Sequence, residues 1–288
     1  MKHKKKIIII LPSINIGGTE KVLLQYADTL VKFGYEVQLV VIKKIKNEYF
    51  TVPKKIKIFK LNLSKNIFAV FKISNIIKKI KPSHIIVSSL TLNFYLAIIK
   101  IFSGNKFNLI IREPNSPIEQ FKYEKKIISF IIRFFYNFAD KIISPSSYIE
   151  LTLRKKFYIN KNKIIKIINP CLNSFEKFRK QKKTKKEILA LKPYLLSIGN
   201  LTNQKNFIFL IKAFSYFIKI KKNYNLIIIG EGRDKKKLKK LIIYLKLKNK
   251  VHFLGKNKSI NFFLKNCKYY CCTSLYEGMP NSIIEALN

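Results

Sequence analysis

Short β-branched runs alternate with longer amphipathic stretches along almost the whole chain, and this alternation restricts the fold more than any other feature. A strand buried on both faces reads as a near-continuous apolar run, and parallel strands need helical crossovers between them. The pattern therefore predicts an α/β protein with parallel sheets covered by helices on both faces. In the first half the predicted strands are 7–11, 36–42, 56–61, 84–87, 107–111 and 141–144, and the predicted helices 19–33, 67–79, 92–102, 124–138 and 147–157, several opened by Ser, Thr or Asn caps. After 164–168 comes Asn169-Pro170 and a polar, Lys-rich stretch, which marks a domain boundary. A second series follows, with strands at 194–198, 225–229, 251–254 and 269–273 and helices at 207–220, 234–247, 259–266 and from 281 onward. Two Rossmann-like halves in tandem are implied: residues 1–172, a linker over 173–192, and residues 193–288.

The formal charge is +43, which by itself points to nucleic acid or an anionic membrane surface. Only five of the 58 basic residues are Arg, the residue suited to bidentate contact with phosphates and bases, and Lys is spread evenly. That distribution argues against a specific nucleic-acid site. It leaves two readings, a compositional bias toward AT-rich codons and a peripheral contact with anionic lipid, to which each Lys near the surface contributes about 1 kcal/mol.

Cys171, Cys267, Cys271 and Cys272 do not form a disulfide framework for 288 residues, so a reducing cytoplasm is the expected setting. The last three lie in an apolar run with His252 well upstream, and read as buried strand cysteines rather than metal ligands. The basic start is followed by an apolar run of five residues, shorter than a signal-peptide core, and no stretch is long and apolar enough to span a membrane.

Four stretches at strand exits carry chemistry. In Ser13 to Glu20, Gly17 and Gly18 open a helix, either as a plain tight turn or as a place where backbone amides meet an anion. In Ser197 to Asn206, Lys205 stands near a helix start, where an ammonium can pair with a diphosphate. Ile229-Gly230-Glu231-Gly232-Arg233 is a third exit, with paired glycines. In Ser274 to Leu287, Pro280 fits the first turn of a helix, placing the amides of Gly278 and Met279 at its N-terminus and Glu285 about a turn and a half inside. Eight helical rises separate Glu277 from Glu285 by about 12 Å, too far for the roughly 5 Å pair of a retaining glycoside hydrolase. The two acids read instead as holding points for hydroxyls of one extended ligand.

In this order and at these separations the four stretches resemble the retaining glycosyltransferases of family 4, which have the GT-B fold of two facing Rossmann domains. The most specific match is Glu277, seven residues, then Glu285, with Ser274, Gly278 and Pro280 around it. Gly17 to Glu20, Lys205-Asn206, Gly230 to Gly232, Phe253 to Gly255, Ser144 to Ser146 and Asn169-Pro170 support it. The resemblance implies transfer of a sugar, with retention, from a nucleotide-sugar donor such as a UDP- or GDP-sugar to a glycan or lipid-linked acceptor in cell-surface polysaccharide synthesis. No cofactor or metal is implied.

By position, the resemblance gives Lys205 the donor diphosphate and Glu285 the ribose. Glu277, with the amides of Gly278 and Met279, takes the transferred sugar, and Glu277 and Lys205 are the catalytic pair. Gly199, Asn200, Gly230, Glu231 and Pro280 complete the donor side, and Gly17 and Gly18 border the diphosphate and acceptor. Arg112, at the fifth strand exit, is either a polar group on that side or part of a structural ion pair. Asn200 stands where the family commonly has Arg, and Val87 is followed by Ser88, Ser89 and Leu90 rather than the frequent His. The family continues beyond the second glutamate with a Gly-Pro-Val strand and further elements, so the resemblance implies a C-terminally truncated product with an incomplete second domain. Two other readings are an inactive remnant of such an enzyme and a basic polyanion-binding protein.

Overall fold

Strand β1 (Lys6–Leu11) shows why the first sheet forms: all five of its apolar residues are buried, and they divide between two cores. Ile8 and Ile10 point into one core with Ile85, Val87 and Leu109, while Ile7, Ile9 and Leu11 point into the other with Leu23, Leu24 and Leu39. That division is the alternation of side chains across a pleated strand covered by helices on both faces. Each such side chain taken out of water contributes about 1.5–3 kcal/mol. The computed structural model describes residues 5–14, 17–44, 52–63, 68–102, 104, 106–120, 125–170, 185–256 and 260–288. The predicted helix starts at Ile67, Glu124 and Ser259, together with Cys171, lie outside the described residues.

The chain divides into two units, Met1–Phe175 and Glu176–Asn288. In the first, β1 is followed by β2 (Glu36–Val41), β3 (Lys57–Lys60), β4 (His84–Val87), β5 (Asn108–Arg112), β6 (Lys141–Ser144) and β7 (Ile164–Lys166). They form one sheet in the order β3-β2-β1-β4-β5-β6-β7. Every pairing is parallel, with Ile7 opposite both Val37 and His84. The helices are α1 (Gly18–Lys32), α2 (Ala69–Ile80), α3 (Leu90–Phe102), α4 (Pro117–Gln120), α5 (Lys125–Phe135) and α6 (Ser147–Phe157). Helix α6 begins where the Ser146 hydroxyl accepts a bond from the Ile149 amide at 3.4 Å, and α2 ends on Lys81 in the left-handed conformation. The predicted helix over 124–138 closes earlier, at Phe135, and tightens into a 3-10 turn over Tyr136–Phe138.

The second unit holds α7 (Lys185–Leu189), β8 (Tyr194–Ile198), α8 (Phe207–Ile220), β9 (Asn225–Ile229), α9 (Lys235–Tyr244), β10 (Val251–Gly255), α10 (Ile260–Asn266), β11 (Tyr269–Tyr270) and α11 (Asn281–Leu287). Its sheet is again parallel, in the order β10-β9-β8-β11. Ile188 of α7 is buried against Tyr194 and Phe263, so the second core begins inside the stretch expected to be a linker. The last predicted strand, 269–273, keeps only two residues. Cys271 still donates its amide to the Leu196 carbonyl at 2.8 Å, but the chain then leaves the sheet. In consequence Cys267 and Cys271 are half-buried and Cys272 is exposed, which corrects the expectation of three buried strand cysteines. Burial pushes the Cys267 and Cys271 thiols up from their ordinary value, keeping both in the neutral form.

Candidate active site

In a doubly wound sheet the crevice lies where the strand order reverses, outside the carboxyl ends of the two strands that flank the reversal. In the second unit that point is between β8 and β11, since β9 and β10 continue from β8 in one direction and β11 lies on its other side. The loop after β8 carries Lys205 and the loop after β11 carries Glu277. The two loops are tied together. Leu275 donates its amide to the Gln204 carbonyl at 2.8 Å, and the Gln204 side chain donates back to the Tyr276 carbonyl at 3.1 Å. The Thr273 hydroxyl donates to the Lys205 carbonyl at 3.1 Å, and the Ser197 hydroxyl to the Cys271 carbonyl at 2.7 Å.

These bonds bring together the two residues to which the family resemblance gives the catalytic part. The Lys205 ammonium donates to Oε1 of Glu277 at 2.5 Å, and both side chains are about four-fifths enclosed, at 19% and 18% exposure. Gly199 makes room for the lysine, because a Cβ there would lie 3.2 Å from the Lys205 methylenes. Asn206 adopts the left-handed conformation directly before α8, turning the chain from the lysine into the helix.

The third loop, after β9, closes against the first. The Gly199 amide donates to Ile229, the Leu201 amide to Glu231, and the Gly230 amide to Gly255, at 3.0, 3.0 and 2.8 Å. The approach is close enough that a Cβ on Gly230 would fall 1.8 Å from the Gly199 carbonyl oxygen, and one on Gly232 would fall 2.3 Å from that of Leu201. Glu231 is held by Lys235 at 2.6 Å, one turn along, and Asn200 is exposed at the rim. Gly230, Glu231, Gly199 and Asn200 therefore share one rim with Lys205.

Pro280 is not inside the first turn of α11. Its ψ of 111° is extended, so it is the capping residue, and its carbonyl receives the Ile283 and Ile284 amides at 3.1 and 3.3 Å. The segment from Glu277 to Pro280 is accordingly not helical, and the expected eight-rise spacing to Glu285 does not apply. Gly278, Met279 and Pro280 form the turn that leads from Glu277 into this seven-residue helix. Beneath it, burial pushes the Tyr270 phenol up; the Ser282 hydroxyl bonds it, and the Glu285 carboxylate is close enough to add to the shift. Tyr270 is thus tied to the first turn of α11, through Ser282.

In the first unit the order reverses between β1 and β4. Gly17 caps α1 with an extended backbone, its carbonyl accepting from the Lys21 amide at 3.1 Å, and Gly18 opens the helix exposed to solvent. A Cβ on Gly17 would lie 2.1 Å from the Glu20 carboxylate, which therefore folds back over the loop. Arg112, at the end of β5, is 1% exposed. Its guanidinium donates to Asn169 Oδ1 at 2.6 Å and to Ser88 Oγ at 3.5 Å, so it ties the exits of β4, β5 and β7. Enclosed in this way it holds those three loop starts together. Burial lowers its pKa, with the neighbouring Tyr26 phenol and Glu113 acting the other way.

Sequence reasoning missed the groups packed beside it. Glu113 is buried and accepts the Tyr136 hydroxyl on Oε2 at 2.5 Å, and Asn93 donates to that hydroxyl at 2.8 Å. Burial pushes the Glu113 carboxyl up to about 7, against the opposing pull of Tyr136, Arg112 and the Asn115 backbone. Glu113 follows Arg112 directly, but nothing local in the sequence marks Tyr136 or Asn93 as its partners. Gln204 and Thr273 were likewise unmarked, because their part is to bridge loops, to partners 72 and 68 residues away along the chain.

Comparison with known proteins gives the family and the fold. Residues 16–171 match the family model Glycosyltransferase Family 4, and residues 177–288 match Glycosyl transferases group 1. An uncharacterized glycosyltransferase of Methanocaldococcus jannaschii is 35% identical over 232 residues, covering 76% of this chain and 56% of the relative. A Campylobacter jejuni enzyme, GalNAc-alpha-(1->4)-GalNAc-alpha-(1->3)-diNAcBac-PP-undecaprenol alpha-1,4-N-acetyl-D-galactosaminyltransferase, is 28% identical over 295 residues, covering 98% of this chain and 76% of its own. Among solved structures, Anabaena HepE in complex with UDP and glucose superposes with a TM-score of 0.71 at 17% identity, covering 98% of this chain and 78% of that one. The chain spans little more than half the length of the Methanocaldococcus relative. With both units matched and the fold that of the GT-B enzymes, the chain belongs to the family 4 glycosyltransferases.

Proposed function

We propose that this chain transfers a sugar, with retention of configuration, from a nucleoside-diphosphate sugar to a glycan or lipid-linked acceptor in cell-surface polysaccharide synthesis. The observation that carries the reading is the Lys205–Glu277 pair at the reversal of the second sheet. The leaving group of such a reaction is a nucleoside diphosphate. Catalysis then needs positive charge where negative charge develops, and acceptors for the sugar hydroxyls beside it. Lys205 supplies the first and Glu277 the second. Glu285, on α11 above Tyr270, takes the ribose, and the rim of Gly199, Asn200, Gly230 and Glu231 borders the nucleotide. The proposed chemistry asks for no metal, since the ammonium of Lys205 meets the charge that develops on the leaving group.

A lipid-linked acceptor is supported by the Campylobacter relative, whose name gives an undecaprenol-linked substrate. We place the work at the cytoplasmic face of the cell membrane, as peripheral contact with anionic lipid. The support is the charge of +43 together with the exposed apolar side chains Ile127, Phe130 and Phe134 on α5. No helix among the described residues is long and apolar enough to cross a membrane. The test is incubation with a panel of UDP- and GDP-sugars and polyprenyl-diphosphate-linked acceptors. Transfer from one donor, lost in Glu277→Ala, is the expected result; no transfer from any donor and no nucleotide-sugar binding would contradict the reading.

A further inference from the structure

The loops after β8 and β9 carry the cations Lys205 and Arg233, Lys235 opens α9 beside them, and two of the three are already committed to carboxylates. Lys205 is bonded to Glu277 at 2.5 Å and Lys235 to Glu231 at 2.6 Å. Arg233 is 78% exposed and only 4.0 Å from Asp234. Asn200 adds no charge. A diphosphate arriving at this rim therefore meets an ammonium that is four-fifths enclosed and already paired.

Resting on the reading above, we propose that Glu277 competes with the donor diphosphate for Lys205, so that binding is an exchange of partners and the sugar decides which way it runs. A nucleoside diphosphate alone must detach Lys205 and leave the Glu277 carboxylate, 18% exposed, without its cation. An enclosed carboxylate that loses its partner loses far more than an exposed one. A nucleotide sugar makes the same exchange but presents hydroxyls that donate to the freed carboxylate. The site thus prefers the complete donor to the nucleotide alone. Once the sugar has moved to the acceptor, Glu277 loses its donors and draws Lys205 back, weakening the hold on the departing nucleoside diphosphate.

The geometry favours such a return. Lys205 is fixed at its backbone by Thr273, and Glu277 follows directly on Leu275 and Tyr276, which are bonded to Gln204. The two side chains consequently swing from anchored positions, and the lysine stem slides over Gly199, where no Cβ stands in its way.

The exchange is tested by titrating UDP and GDP into the full chain, its Glu277→Gln form, Lys205→Met, and the double variant, each checked for an unchanged melting transition. Gln accepts and donates hydrogen bonds but does not hold an ammonium as a carboxylate does. Glu277→Gln is expected to bind the nucleoside diphosphate about 10- to 150-fold more tightly than the natural chain, the size of one charge-assisted bond, while transfer activity falls. The gain is expected to vanish in the Lys205→Met background. A Glu277→Gln chain that binds UDP or GDP no more tightly overturns the exchange and leaves the transferase reading in place. A gain that persists without Lys205 also overturns it, showing general repulsion between carboxylate and phosphate. If neither nucleotide binds the natural chain or any variant, the transferase reading fails and the exchange with it.

Discussion

Glu113 is enclosed beside Arg112, accepts the Tyr136 hydroxyl, and has its carboxyl pushed from the ordinary 4.5 to about 7 chiefly by burial. Such a group keeps in the folded chain a proton that the unfolded chain has released. Its contribution to stability is fully present below the ordinary carboxylate range and is lost as pH rises toward 7. Glu113→Gln retains an acceptor for Tyr136 without the charge. Its melting temperature is expected to match the natural chain near pH 5 and to exceed it near pH 8 by a few degrees, at about 2–4 °C per kcal/mol for a unit of this size. A variant less stable than the natural chain at pH 8 would show that the charge on Arg112 outweighs burial. At this scale the sequence was half legible. Lys205 and Glu277 stood out through the motif around them, and their contact follows from the parallel order of β8 and β11. Arg112 was visible as a polar residue at a strand exit, but its enclosure by Ser88 and Asn169 was not, because those partners come from beyond β4 and beyond β7.

At the scale of elements, the β8, β9 and β11 exits are held by close backbone approach as much as by side chains. Gly230→Ala sets a Cβ 1.8 Å from a carbonyl oxygen that cannot move without opening the Leu201–Glu231 bond. It is expected to lower stability by at least about 2 kcal/mol in denaturant unfolding. Gly199→Ala is different, since its Cβ meets only the flexible stem of Lys205 at 3.2 Å. That variant should unfold within about 0.5–1 kcal/mol of the natural chain yet bind nucleotide several-fold more weakly, as read by calorimetric titration. A Gly199→Ala chain with unchanged affinity would mean that the lysine stem does not lie over this glycine when nucleotide is bound. Most elements were readable because strands such as 194–198 and 225–229 are apolar but for Ser197 and Asn225 and sit centrally in a parallel sheet. The run 269–273 misled for a definite reason. Its apolar letters Tyr-Tyr-Cys-Cys suggest a full strand, whereas the hydroxyls of Ser197 and Thr273 draw the chain out of the ladder after Tyr270 and into the loop that bears Glu277. Pro280 was displaced by one position for a similar local reason, its extended ψ making it the cap of α11.

For the molecule as a whole, two parallel sheets that each reverse their strand order give each unit its own crevice, and apart from Arg112 and Glu113 the charged side chains of the described residues lie outside both cores. Among the described residues no lysine is buried, and helix α9 shows the arrangement, with Lys236, Lys237, Lys239 and Lys240 exposed around buried Leu238 and Ile242. The composition gave the least guidance of all the signals, because net charge speaks to partners and solubility and not to fold. Order of motifs gave the most, since strand exits recurring at the spacing of a βαβ unit fix where loops can meet. The account turns on nucleotide binding at Lys205, and calorimetric titration of UDP- and GDP-sugars into the full chain and its Lys205→Met variant tests this directly. One nucleotide sugar is expected to bind the natural chain and to bind the variant at least about tenfold more weakly, the loss of one charge-assisted contact to phosphate. Equal affinity for the two chains, or no binding to either, would contradict it.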